Sequence, residues 1–130
     1  MAPGQVDAYT LSKRSSCALR VVSPRTSVTT LVGDHDLASQ QSVMAVLTEA
    51  MERPNVIVDL TYCAFIDTTI LEVFYATRRA QKSRRDCIEL VVPDGDGFIN
   101  RWSRLTGVRL ALESHATLEG ALTSMGEAGA

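Results

Sequence analysis

No stretch of this chain approaches the ~20 consecutive apolar residues of a membrane-spanning helix. Met1 to Ser16 also lacks the apolar block of a signal peptide. No membrane span and a cytoplasmic location are therefore expected. The three cysteines, Cys17, Cys63 and Cys87, are odd in number, widely spaced and free of any Cys-x-x-Cys pair. Neither a disulfide framework nor a zinc site is indicated. Nor is there an excess of positive charge: the formal net charge is −2 and the pI about 5.6. A phosphate backbone selects for a strongly basic face, so nucleic acid is not the expected partner. Repeats, internal linkers and low-complexity blocks are missing as well.

What is present suits one small domain. The 130 residues are 45% apolar, enough to build a single core and to argue against disorder for the body of the chain. Residues 1–16 are expected to form a flexible N-terminal arm, residues 17–125 the domain, and residues 126–130 a flexible tail. Cys17 to Val22 and the alternating Ser27 to Val32 flank Ser23-Pro24-Arg25-Thr26, a turn signal, and predict an antiparallel hairpin. Gly33 breaks the second strand, and Asp34-His35-Asp36 form a polar corner. Val43, Val46, Leu47 and Ala50 recur at helical spacing between Ala38 and Arg53, with Ser39 or Asp36 as the cap and Pro54 as the stop. Val56 to Leu60 is a nearly continuous β-branched run that reads as an interior strand covered on both faces.

Thr69 to Ser83 predicts a second helix with Ile70, Val73, Phe74, Thr77 and Ala80 turned inward. Ile88 to Val92 is a further strand. Phe98, Ile99, Trp102 and Leu105 mark a short helix closed by Gly107, Val108 to Leu112 a final short strand, and Thr117 the cap of a last helix. Strands and helices alternating after a hairpin predict an α/β fold: a mixed β-sheet of four to five strands with about four α-helices.

The chemistry concentrates in Val56 to Glu72, VIVDLTYCAFIDTTILE. A buried strand ends, a short connection carries Phe65 and Ile66, and Asp67-Thr68-Thr69 opens a helix. Asp67 suits the N-cap, since its carboxylate can accept from the free N–H groups of the first turn. Phe65-Ile66-Asp67-Thr68-Thr69-Ile70-Leu71 is similar to the signature of STAS domains, Phe-x-Asp-Ser-Ser-Gly-Leu between a strand and a helix. Gly33-Asp34-His35-Asp36-Leu37-Ala38 resembles that family's Gly-Glu-Leu-Asp-Leu-Ala corner, and Leu90 to Pro93 and Leu105 to Val108 resemble its later segments. The resemblance runs from Cys17 to Met125. Ile70 stands where the family has glycine, and threonines replace both serines.

The resemblance implies an anti-sigma factor antagonist with no enzymatic activity and no cofactor. It would bind an anti-sigma factor that is itself a serine/threonine kinase-like protein, and so free a sigma factor. Thr68 is the implied phosphoacceptor, with Thr69 as the alternative. The docking face would comprise Asp34, His35, Asp36, Asp67, Thr68, Thr69, Leu71, Glu72 and Tyr75. A STAS module without phosphorylation, serving as a scaffold or as a subunit of a sensory or transport complex, is the alternative reading. Homodimer formation stays open.

Plainer readings stand beside these. Asp67-Thr68-Thr69 alone signals only a helix cap, and His35 and His115 read as solvated turn and loop residues. Asp94-Gly95-Asp96-Gly97 fails as a calcium loop, because Phe98, Ile99 and Leu105 occupy positions that need ligands or glycine. The cationic run Arg78 to Arg85 reads as a solvated helix end. Cys63, four residues before Asp67, is a candidate redox thiol, and a buried or inert thiol is the plainer reading.

Overall fold

The computed structural model describes residues 6–12 and 15–127. Its centre is a seven-stranded sheet, in the order β1-β2-β3-β4-β6-β7, with β5 also paired to β3. Strands β1 (Val6–Ser12), β2 (Ser15–Ser23) and β3 (Thr26–His35) run as an antiparallel meander. Strands β4 (Asn55–Asp59), β5 (Cys63–Ile66), β6 (Cys87–Val91) and β7 (Ser114–His115) join by parallel pairing. The helices are α1 (Gln40–Ala50), α2 (Thr68–Ala80), α3 (Phe98–Thr106), α4 (Val108–Ala111) and α5 (Leu118–Ser124).

The β2–β3 hairpin turns on Pro24 and Arg25, with Ser23 opposite Thr26. All five residues of β4 are buried, as the apolar run implies, because helices cover both sheet faces. On one face Leu31, Val56, Val58 and Leu90 pack against Val43, Val46 and Leu47 of α1 and Ile70, Val73 and Phe74 of α2. On the other, Val28, Ile57 and Val91 pack against Ala121 and Leu122 of α5. This alternation along β4 is why neither face of the strand carries a solvated residue.

Several elements differ from the sequence-based expectation. Val6–Ser12, assigned to the flexible arm, pairs along β2; residues 1–5, 13 and 14 lie outside the described residues. The chain end expected to fray is tied at Glu127, whose carboxylate accepts from Ser23 Oγ at 2.9 Å and Thr26 Oγ1 at 2.8 Å; residues 128–130 lie outside the described set. Cys63–Ile66, read as a connection, is a strand. Val108 to Leu112, read as a strand, begins as the helical turn α4, because the place beside β6 is taken by Ser114 and His115. Gly107, at φ 72°, ends α3 in the left-handed conformation expected of a C-cap glycine. Ala80, expected to face inward, is exposed at the last turn of α2, whose cationic residues are Arg78 and Arg79.

Phe74 is fully buried between α2 and the sheet. Phe74→Ala is expected to lower stability by about 3–5 kcal/mol, whereas Leu105→Ala, at a residue 87% exposed, should stay within about 0.5 kcal/mol. Urea denaturation followed by circular dichroism measures both.

Candidate docking site at the start of α2

Strand β3 determines where the site lies. Its first half pairs with β4, and its last residues pair with β5, Gly33 opposite Cys63 and His35 opposite Ile66. Gly33 takes φ 81° at this change of partner, where the register shifts, a backbone that only glycine adopts without strain. Strand β5 thus carries Asp67 to the end of β3, and Asp67 N–H donates to the His35 carbonyl at 3.2 Å.

Asp67 then caps α2. Its Oδ1 accepts from Thr69 N–H at 3.0 Å and from Thr69 Oγ1 at 2.5 Å. The two threonines are therefore unequal. The Thr69 hydroxyl is half-buried and committed to the cap; Thr68, the first helical residue, is exposed and its hydroxyl bonds to none of the described residues. The neighbouring corner is capped as well: Asp36 accepts from Ala38 N–H at 2.9 Å, and Asp36 N–H donates to Ser39 Oγ at 3.2 Å. Gln40 Nε2 donates to the Thr69 carbonyl at 3.0 Å, locking the start of α1 to the first turn of α2. Corner and helix start form one rigid surface.

Of the residues assigned to the docking face, Asp36, Thr68 and Glu72 are exposed, and Asp34, Asp67, Thr69 and Tyr75 are partly so. Two are not available to a partner. Leu71 is 9% exposed and belongs to the core. His35, expected as a solvated turn residue, is completely buried. Its Nε2 sits 3.1 Å from the carbonyls of both Ser16 and Val32, which fixes the proton on that nitrogen, while Nδ1 faces Ser39 Oγ at 3.1 Å. Burial pushes its pKa below the usual 6.5, against the opposing pull of those two carbonyls and of Asp34 and Asp36. The corner is thus held from inside by a neutral histidine.

Cys63 is a buried thiol. It is 7% exposed, its Sγ donates to the Phe65 carbonyl at 3.3 Å, and burial pushes its pKa up to about 12 despite that bond. A thiol raised in this way carries little thiolate at neutral pH, the form that oxidation requires. His115, expected in a loop, lies in β7 with Nε2 2.7 Å from Glu89 Oε1. Asp94 and Asp96 are exposed, and Arg101 donates to the Asp96 carbonyl. Among the described residues no cluster of three or more His, Cys, Asp or Glu side chains could hold a metal ion, and no helix is long and apolar enough to cross a membrane.

One feature of the surface escaped the sequence reading. Phe65, 40% exposed, stacks on Phe98, 37% exposed, with ring centroids 5.1 Å apart. The pair stands two residues before Asp67 and bridges β5 to the start of α3. No period in the sequence points to it, because Ala64 and Phe65 both face outward between buried Cys63 and Ile66, which breaks the alternation of a strand.

Two measurements check these placements. The unfolded chain takes up a proton on His35 near its ordinary pKa of 6.5, and the folded chain only at lower pH. His35 therefore contributes fully to stability above that value and costs stability as pH falls from 6.5 toward the folded pKa. The urea midpoint should drop more between about pH 7.5 and about pH 5.5 for wild type than for His35→Gln. Iodoacetamide at about pH 7.5 should label Cys63 only as fast as the protein unfolds, with rates read by peptide mass spectrometry before and after adding urea.

No protein-family model matches the chain, and no curated protein matches it. Solved structures do. An anti-sigma factor antagonist from Mycobacterium paratuberculosis superposes with a TM-score of 0.68 over 95% of this chain and 96% of its own, at 21% identity. The anti-sigma factor antagonist SpoIIAA in its unphosphorylated form gives 0.67 over 86% and 98%, at 14% identity. The Bacillus cell fate determinant SpoIIAA in its phosphorylated form gives 0.61 over 84% and 98%, at 15% identity. The path of the backbone is shared from end to end of those proteins, and the chain has the STAS fold of the anti-sigma factor antagonists.

Proposed function

We propose that this protein is an anti-sigma factor antagonist that docks an anti-sigma factor on the surface around Thr68 and is switched off by phosphorylation of that residue. The observation that carries the reading is the state of Thr68: an exposed hydroxyl at the first position of α2, beside a capped corner and an exposed aromatic pair. The fold is that of proteins with this role, one of which is known in both unphosphorylated and phosphorylated forms. The protein performs no reaction of its own in this scheme. Its partner is a serine/threonine kinase-like anti-sigma factor, and both act in the cytoplasm.

The physics of the switch is local. A phosphate adds about −1.5 to −2 charges at neutral pH. The positive end of the α2 dipole favours an anion beside Thr68, while the N–H groups of Thr69, Ile70 and Leu71 are already engaged by Asp67. Asp67 and the exposed Glu72, four residues along α2, already carry negative charge there. Phe65 and Phe98 supply the apolar area that a partner would cover. Burying a dianion against that area carries a large desolvation cost, so the modified face no longer docks. The phosphorylation-free scaffold remains the second reading, favoured by Glu72, which opposes a phosphate on the same helix face.

Incubation with the cognate kinase and labelled ATP should label wild type and Thr69→Ala, and leave Thr68→Ala unlabelled. Equal labelling of Thr68→Ala would remove Thr68 from the scheme. Immobilised wild type should retain one ATP-binding, kinase-like protein that Thr68→Glu loses, and Phe65→Ala should weaken that binding by about 1–3 kcal/mol. Unchanged affinity of Thr68→Glu would favour the scaffold.

A further inference from the structure

A cleft of about 390 Å³ opens on the α5 side of the sheet, across the sheet from α1 and α2. Its floor is Ala18, Val28 and Thr30, and one wall is the chain from Ala116 to Leu118. Two charged side chains from different strands line it, and neither forms an ion pair with a described residue. Asp59, the last residue of β4, is 4% exposed. Its Oδ1 accepts from Thr61 N–H at 2.9 Å and Thr61 Oγ1 at 2.5 Å, and no described cation lies within ion-pair distance. Arg20, on β2, is half-buried and makes no hydrogen bond or ion pair with any described residue.

A buried carboxylate without a counter-charge is costly, and so is a partly buried guanidinium. The sheet keeps these two apart. Arg20 lies in register with Val28 and Ile57, and Asp59 with Thr30 and Ala18. They are therefore two strands and two residues apart, about 12 Å between Cα atoms by ordinary strand spacings. Such a pair fits a ligand that carries both charges.

We propose that this cleft binds a small zwitterion, a free amino acid or ω-amino acid, with its ammonium on Asp59 and its carboxylate on Arg20. A planar guanidinium grips a carboxylate through two parallel N–H donors. The ammonium supplies the missing counter-charge to Asp59, whose Oδ1 is already oriented by Thr61. The Thr30 hydroxyl offers a further polar contact, and Val28 and Leu118 offer apolar surface to the ligand's carbon stem. The volume lies near the lower end of the range for small-molecule sites, about 300–1,000 Å³, which suits one amino acid. A nucleotide is disfavoured, because its phosphates would meet the Asp59 carboxylate.

Isothermal titration of the full chain with the protein amino acids, β-alanine and 4-aminobutyrate tests the proposal. At least one should saturate, with a Kd on the order of 0.1–1 mM. Asp59→Asn keeps the acceptor that Thr61 uses, and Arg20→Met keeps the aliphatic stem. Each should weaken binding at least about tenfold. Butylamine and butyrate, each with one of the two charges, should bind more weakly than 4-aminobutyrate. No saturation up to about 10 mM, or affinity unchanged in both variants, overturns the proposal. If Asp59→Asn fails to fold by circular dichroism, Arg20→Met and the cleft-filling Ala18→Leu decide it. None of these variants touches Thr68, so the outcome is independent of the docking reading.

Discussion

The structure depends on β3 having two parallel partners in succession. If β4 ran beside β3 along its whole length, the chain would leave the sheet at a single edge and enter α2 directly. Instead β4 stops at Asp59, the chain turns at Thr61 and Tyr62, and β5 takes the remaining length of β3. The Tyr62 carbonyl accepts from Gly33 N–H at 3.0 Å, so the change of partner is itself hydrogen-bonded. Asp67 is brought against His35 by this arrangement, and the first turn of α2 emerges beside the Asp34–Ser39 corner. The position of Thr68 follows from the sheet, through backbone bonds, before any side chain of the site acts.

The segment between the two strands uses one device twice. Asp59-Leu60-Thr61 and Asp67-Thr68-Thr69 both place a threonine two residues after an aspartate, and in both the aspartate Oδ1 takes the threonine N–H and hydroxyl. The first closes β4 and the second opens α2. The same local chemistry, the Asx-type bond of an aspartate to the backbone two residues on, thus ends a strand in one place and begins a helix in another. What differs is the next residue's surroundings: after Thr61 the chain is pulled back to β3 by Gly33, whereas after Thr69 the buried Ile70 and Leu71 continue a helical stripe.

How much of this was legible follows from the range of each signal. Period and composition are local, so β2, β3, α1, β4, α2, β6, α3 and α5 could be read from their own residues, as could the caps at Asp67 and Thr117 and the stop at Gly107. The missed elements owe their structure to distant partners. Strand β5 is four residues long with only its ends buried, too short to show a period. Strand β7 has two residues and exists because β6 offers an edge. His35 is polar and flanked by aspartates, which reads as solvent, yet the carbonyls of Ser16 and Val32 satisfy its ring inside the fold. Cys63 was legible on both counts: its place beside the site, and a buried thiol as the plainer reading, which its 7% exposure matches.

The inequality of Thr68 and Thr69 is the last step. The sequence offers two adjacent hydroxyls, of which the family resemblance names Thr68 by position. The cap distinguishes them: the Thr69 hydroxyl donates to Asp67 Oδ1, so it is half-buried with its hydrogen engaged, and transferring a phosphoryl group to it would break a bond that starts the helix. Thr68 carries no such duty. A modification there leaves the cap, the Asp67–His35 bond and the Gln40–Thr69 bond in place. Under the proposed phosphorylation the fold would stay unchanged while the surface gained about −1.5 to −2 charges. A switch confined to one side chain on a rigid platform needs no conformational transition in the protein that carries it, because the difference in binding free energy arises at the interface itself.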